Sequence, residues 1–274
     1  MSRIDSHQHF WRLDRGDYGW LTPQLVPIYR DFLPADLEPQ LAVAGVTATI
    51  AVQAAPTVAE TRYLLQLARD NPFIAGVVGW VDFEEATVAD TIAGLAADAS
   101  LVGLRPMIQD ISDPEWMLRT ELTPAFEAMI DHGLVFDALV RTEHLVALRE
   151  LTSRFPDLVM VVDHGAKPPI AAGDLTAWKR EIAALARETP VICKLSGLVT
   201  EAGTSNAPGI AECVEHLLEN FGAQRMMWGS DWPVCELVCS YEAWRQSSNL
   251  LLGGLDASAR EQIYSGVARA TYGI

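Results

Sequence analysis

The stretch LVMVVDHGAKPP, residues 158–169, changes character at its midpoint. Five consecutive apolar residues give way to Asp163, His164 and Lys167, and then to two prolines. A run this continuously apolar reads as a strand covered on both faces, as in parallel sheets, rather than one with a wet side. In such folds, chemistry collects just past the C-terminal ends of the strands. The segment before it, TEHLVALRELTSRF from Thr142, places Leu145, Leu148 and Leu151 at helical spacing and stops at Phe155-Pro156.

Working outward, the same pairing of apolar run and helical segment recurs along the chain. The other runs are RID at Arg3, TATIAVQ at Thr47, IAGVVGWV at Ile74, LVGLR at Leu101, LVFDALV at Leu134, VICKLS at Val191 and RMMWGSD at Arg225. VAETRYLLQLARDN from Val58, with Leu64, Leu65 and Ala68 on one side, is a second clear amphipathic helix. About eight such units predict an α/β fold, a (β/α)8 TIM barrel forming a single domain over residues 1–274. A doubly wound open sheet is the competing architecture, but no G-x-G-x-x-G follows the first run and no Gly-rich phosphate loop occurs. Arg12 to Pro34 is too long for a plain βα loop and reads as a lid or pocket wall.

Composition narrows the partners. The chain has 274 residues, half of them hydrophobic and a fifth charged, with a formal charge of −16. That acidity argues against nucleic acid and against an anionic membrane surface. Cys193, Cys213, Cys235 and Cys239 form no C-x-x-C pair and are expected to be buried thiols in a reducing compartment. With no apolar leader and no long apolar span, the expected location is cytoplasmic.

Functional candidates stand at the strand ends. His7 and His9 flank one residue, so an extended backbone points both imidazoles to the same side. That geometry suits two ligands of one metal ion or two donors to one substrate oxygen. Because the eighth strand of a closed barrel lies beside the first, Asp231 is expected near this pair, and His164 comes in from the sixth strand. His132, His144 and His216 fall in helical segments and read as surface or helix-face residues. Ser196 and Ser230 lie in no G-x-S-x-G, which discounts a serine hydrolase.

DSHQHFW near the N-terminus, GLRP at Gly103, DHGAKP at Asp163, CKLSGL at Cys193 and WGSDWPV at Trp228 together resemble the amidohydrolase superfamily. The order and spacing match its amidohydrolase-2 branch, which includes sugar lactonases, L-fuconolactonase among them, and 2-pyrone-4,6-dicarboxylate lactonase. Many superfamily members carry a bridging carboxylated lysine at the fourth strand and a metal-binding histidine at the fifth. Here Leu104-Arg105-Pro106 and then Asp137 and Arg141 stand at those places, which argues against a lysine-bridged binuclear centre. The resemblance implies either a lactonase that needs no cofactor or one with a single optional zinc on His7, His9, His164 and Asp231.

The implied reaction is hydrolysis of a small sugar lactone. Asp231 would activate water, helped by a burial-raised pKa, while the histidines stabilise the oxyanion. Gln53, Trp80, Arg105, Arg141 and Lys167 are candidates for binding substrate oxygens, and Trp11 and Trp232 for stacking on the sugar ring. A dicarboxylate lactone hydrolase, a metal-dependent decarboxylase and a non-catalytic binding protein are the alternatives. The sequence indicates no oligomeric state.

Overall fold

Eight parallel strands lie side by side in chain order in the computed structural model, which describes residues 3–274. They are β1 (Arg3–Gln8), β2 (Val46–Val52), β3 (Ile74–Gly79), β4 (Leu101–Leu104), β5 (Val135–Ala138), β6 (Met160–Val162), β7 (Ile192–Leu195) and β8 (Met226–Trp228). Each overlaps one of the eight runs singled out in the sequence. The helices are α1 (Pro34–Ala44), α2 (Val58–Asp70), α3 (Val88–Ala96), α4 (Thr123–Asp131), α5 (Leu145–Arg154), α6 (Thr176–Glu188), α7 (Leu198–Ala202) and α8 (Pro208–Phe221). After β8 follow α9 (Tyr241–Leu251), α10 (Ala257–Glu261) and α11 (Val267–Tyr272). The architecture is a (β/α)8 barrel, and no helix among the described residues is long and apolar enough to cross a membrane.

The ring closes beyond the strands proper. Gln8 bridges Trp232 in parallel, the Asp231 N–H donates to the His7 carbonyl at 2.8 Å, and the His9 N–H donates to the Trp232 carbonyl at 2.7 Å. Beneath this seam Asp5 accepts from the Ser230 N–H at 2.8 Å, and the Ser6 hydroxyl donates to the Trp228 carbonyl at 2.8 Å.

Two layers fill the interior. Ile4, Ile50, Val52, Val78, Val135, Val161 and Met227 form an apolar layer with Val267, Ala268 and Tyr272 of α11. Side chains two residues apart share a face of a strand, so Asp137 follows Val135 and Asp163 follows Val161 toward the barrel axis. Apolar packing is therefore succeeded by an ionic layer beneath the rim. The opposite strand faces, such as Phe136, Val162, Cys193 and Trp228, join the larger core under the helices.

Some expectations need correction. His144 is buried rather than superficial, because its Nδ1 accepts the Arg141 N–H at 3.0 Å and so caps the turn leading into α5. His216 is half-buried, its ring against Trp178 and one nitrogen 2.9 Å from the Lys179 carbonyl, while His132 is exposed. Of the four free cysteines, Cys239 is only half-buried.

Candidate active site

Asp231 occupies a left-handed backbone conformation (φ 59°) just past β8, which turns its carboxylate back over the barrel mouth. Its Oδ1 lies 3.4 Å from His9 Nε2, 3.8 Å from His7 Nε2 and 3.9 Å from His164 Nε2. Three imidazole nitrogens from β1 and the β6 end thus face one carboxylate oxygen, as the strand-end reading expects. The approach requires glycine at two points. A Cβ on Gly229 would lie 2.7 Å from His7 Cβ, and one on Gly197 would lie 2.6 Å from His164 Nδ1.

Each ring is oriented from behind. His9 Nδ1 sits 2.8 Å from the Val52 carbonyl, which only accepts, so that nitrogen carries the proton and Nε2 is left for the cluster. His164 Nδ1 is 2.8 Å from the Ser196 hydroxyl. His7 Nδ1 lies 3.4 Å from Asp163 Oδ1 and 3.3 Å from Lys194 Nζ, and its Nε2 is 3.4 Å from an Arg105 nitrogen. Imidazoles fixed by partners on their far nitrogens are the arrangement that metal-binding histidines require. His7, His9 and Asp231 form one trio with ligand atoms within 4.8 Å of one another, and His7, Asp163 and His164 form a second. The donor set of imidazoles and carboxylates fits a single zinc.

Below the cluster the ionic layer is closed on itself. Fully buried Lys194, on β7, contacts Asp137 closely and lies 3.2 Å from Asp163. The Tyr272 hydroxyl donates to Asp137 at 2.9 Å, and Arg105 reaches Asp163 at 3.3 Å. Two cations face two carboxylates, so the layer carries no net charge.

Burial sets the protonation states, modified by these neighbours. It pushes Asp231 up, but His164, His9 and His7 outweigh it and hold the carboxyl well below its usual range. The expectation of a burial-raised pKa is therefore corrected: Asp231 is an ionised carboxylate. Burial holds His7 and His164 below the ordinary imidazole value. Asp137 is pushed up to about 6 by burial, with Lys194 opposing.

The cluster opens into a cavity of about 200 Å³, room for one small ring rather than a polymer. His9, Arg105, His164, Lys167 and Asp231 line it, together with Trp20, Leu139, Thr200 and Glu201. Other expected contacts fall elsewhere. Gln53 lies fully buried behind Arg105, donating to its carbonyl at 2.8 Å and accepting a guanidinium N–H in return. Neither Trp80 nor Arg141 is among the lining residues. Trp11 and Trp232 are both fully buried, edge-on to Phe32, where they hold the Arg12–Pro34 excursion onto the barrel. They are core residues, and the excursion instead contributes Trp20 to the cavity wall.

Trp20 is held by a relay that begins at Glu60. The buried Glu60 carboxyl group accepts the N–H groups of Ala54 (3.0 Å) and Ala55 (2.7 Å), and the Ala54 carbonyl accepts the Trp20 indole N–H at 2.7 Å. Burial raises the Glu60 carboxyl from 4.5 to about 8. A folded-state value above the unfolded one means a stability contribution that is full below about pH 4.5 and lost as pH rises through about 8. Wild type should therefore melt at a lower temperature at pH 8 than at pH 5. Glu60→Gln, which cannot titrate, should remove up to about 4 kcal/mol of that dependence. Equal pH slopes for both proteins in thermal melts would contradict this.

The family described as Amidohydrolase matches residues 4–274. The chain is 45% identical over 280 residues to an L-fucono-1,5-lactonase of Burkholderia ambifaria, covering 99% of this chain and 96% of that one. It is 35% identical over 291 residues to an L-fucono-1,5-lactonase of Burkholderia multivorans, with the same coverage. A crystal structure of an amidohydrolase from Burkholderia multivorans with bound zinc superposes with a TM-score of 0.94 at 35% identity, covering both chains completely.

Proposed function

The chain belongs to the amidohydrolase family, and on that premise we propose that it hydrolyses a sugar lactone, L-fucono-1,5-lactone or a close analogue, to the aldonic acid. The observation that carries this reading is the Asp231 carboxyl group facing three imidazole nitrogens at 3.4–3.9 Å on the wall of a one-ring cavity.

In this reading Asp231 takes a proton from water as its oxygen attacks the lactone carbonyl carbon. The oxyanion is met by the His7, His9 and His164 cluster and by Arg105. Collapse breaks the bond between the acyl carbon and the ring oxygen, and Asp231 returns its proton to the leaving alkoxide. A carboxylate held below its ordinary pKa is a weak base, so the reactivity of the lactone itself carries part of the barrier. A zinc ion held by His7, His9, His164 and Asp231 would add Lewis-acid polarisation of the carbonyl.

Charge pairing favours a neutral substrate. The cavity-lining cations are Arg105 and Lys167, and each already has a carboxylate, Asp163 at 3.3 Å and Glu201 at 2.9 Å. A dicarboxylate lactone would need cations free to meet both of its charges. We place the enzyme in the cytoplasm, working as a single catalytic unit over residues 1–274, with a small molecule as its partner.

A pH-indicator assay of acid release from aldono-1,4- and aldono-1,5-lactones, with and without chelator, tests the proposal. Hydrolysis of L-fucono-1,5-lactone is the expected result. Loss on chelation with recovery on added zinc would assign the metal a role, and undiminished turnover would assign the work to the side chains alone. Silence across the panel under both conditions would overturn the lactonase reading.

A further inference from the structure

Resting on the lactonase reading, we propose that Lys167 and Glu201 form a matched donor and acceptor pair that reads two adjacent hydroxyls of the substrate ring. The Lys167 ammonium lies 2.9 Å from Glu201 Oε1. Both residues line the cavity, and their side chains keep 18% and 19% of their surface exposed. A pair left partly open on the wall of a substrate-sized cavity can give up part of its mutual contact to a ligand's polar groups. Its chemistry suits a vicinal diol, because one hydroxyl can donate to the carboxylate while its neighbour accepts from the ammonium.

The backbone carrying Lys167 is strained. His164, Gly165, Ala166 and Lys167 are all left-handed, with φ of 53°, 57°, 61° and 51°. Side chains bearing a Cβ are held there against steric opposition from their own backbone. The Trp178 indole N–H, donating to the Gly165 carbonyl at 2.7 Å, and the Lys167 N–H, donating to the His164 carbonyl at 2.9 Å, hold the turn in place. The result is a rigid register: the lysine stands one tight turn from the histidine of the reaction centre. Glu201 is registered to the same histidine from the other side. It lies on α7, which begins two residues after Ser196, whose hydroxyl is 2.8 Å from His164 Nδ1. Both readers are thus fixed relative to the carbonyl position, which is what discrimination among ring hydroxyls demands.

The test crosses enzyme variants with substrate deletions. kcat/KM is measured for wild type, Glu201→Gln and Lys167→Met on L-fucono-1,5-lactone and on analogues lacking the hydroxyl at C2, C3 or C4. Wild type should lose about tenfold or more when a read hydroxyl is deleted. Glu201→Gln should lose a similar factor on the parent lactone and distinguish parent from that analogue by less than about threefold, and Lys167→Met should do so for the neighbouring hydroxyl. Full discrimination retained by both variants, a common factor lost on every substrate, or a wild type indifferent to all three deletions would each overturn the pair's role. A wild type inactive on every lactone would instead refute the lactonase reading.

Discussion

Replacing Asp231 by asparagine is expected to lower kcat on the preferred lactone by about 10³-fold or more while changing KM by less than about threefold. Asparagine keeps the size of the side chain and tolerates the left-handed backbone at φ 59°, so the seam bond from this residue's N–H to the His7 carbonyl is retained. What disappears is the acidic oxygen that faces all three imidazoles. Steady-state kinetics on variant protein with wild-type circular dichroism decide the matter. A kcat within tenfold of wild type would remove Asp231 from the role of base. The same residue sets a pH expectation. Because the imidazoles hold its carboxyl below the ordinary range, the active, ionised form is lost only when pH falls through that lowered value. The wild-type rate should show no acid limb from Asp231 on descending to pH 5.

Lys194→Met should cost about 3–5 kcal/mol of stability, or prevent folding, because it strips the cation from two carboxylates that stay buried. Burial drives Asp163 up, and Lys194, His7 and Arg105 more than reverse this, so its carboxyl lies well below its usual value. A depressed carboxyl contributes stability that is present above the unfolded pKa and lost as pH falls through the folded one. Without Lys194, nothing on β7 opposes the burial that already pushes Asp137 up to about 6, so this carboxyl stays protonated at pH 5 and must be buried charged at pH 8, and the variant should be hurt more at pH 8 than at pH 5 in chemical denaturation. Adding Asp137→Asn should recover part of the loss. A destabilisation below about 1 kcal/mol would mean that the ionic layer is not holding the barrel together.

Much of this was legible in the residues. Apolar runs marked most of the strands, because burial on both faces leaves no polar alternation to blur them, whereas β1, RIDSHQ, buries polar side chains along most of its length. The polar residues at the ends of those runs marked the cluster of His7, His9, His164 and Asp231 that the barrel brings together. Lys194 and Asp137 were harder to assign, since each sits inside a strand as a lone charge in an apolar run. Only the closure of the barrel shows that β5 and β7 turn them toward each other. Trp11 and Trp232 misled for a related reason: they stand at strand ends, but the backbone sends them outward under the excursion. Trp20 and Glu201 reach the cavity from the excursion and from α7, where spacing along a strand says nothing.

The seam between β8 and β1 carries a consequence for how the chain finds its fold. Asp5, His7 and His9 meet Ser230, Asp231 and Trp232 across more than 220 residues of intervening chain. Contacts that distant in sequence close late, because the entropy of a very long loop opposes them until neighbouring structure is in place. The same contacts set Asp231 against the histidines. On refolding from denaturant, helical signal should therefore return before turnover does, with catalytic competence arriving only when the two ends of the sheet join.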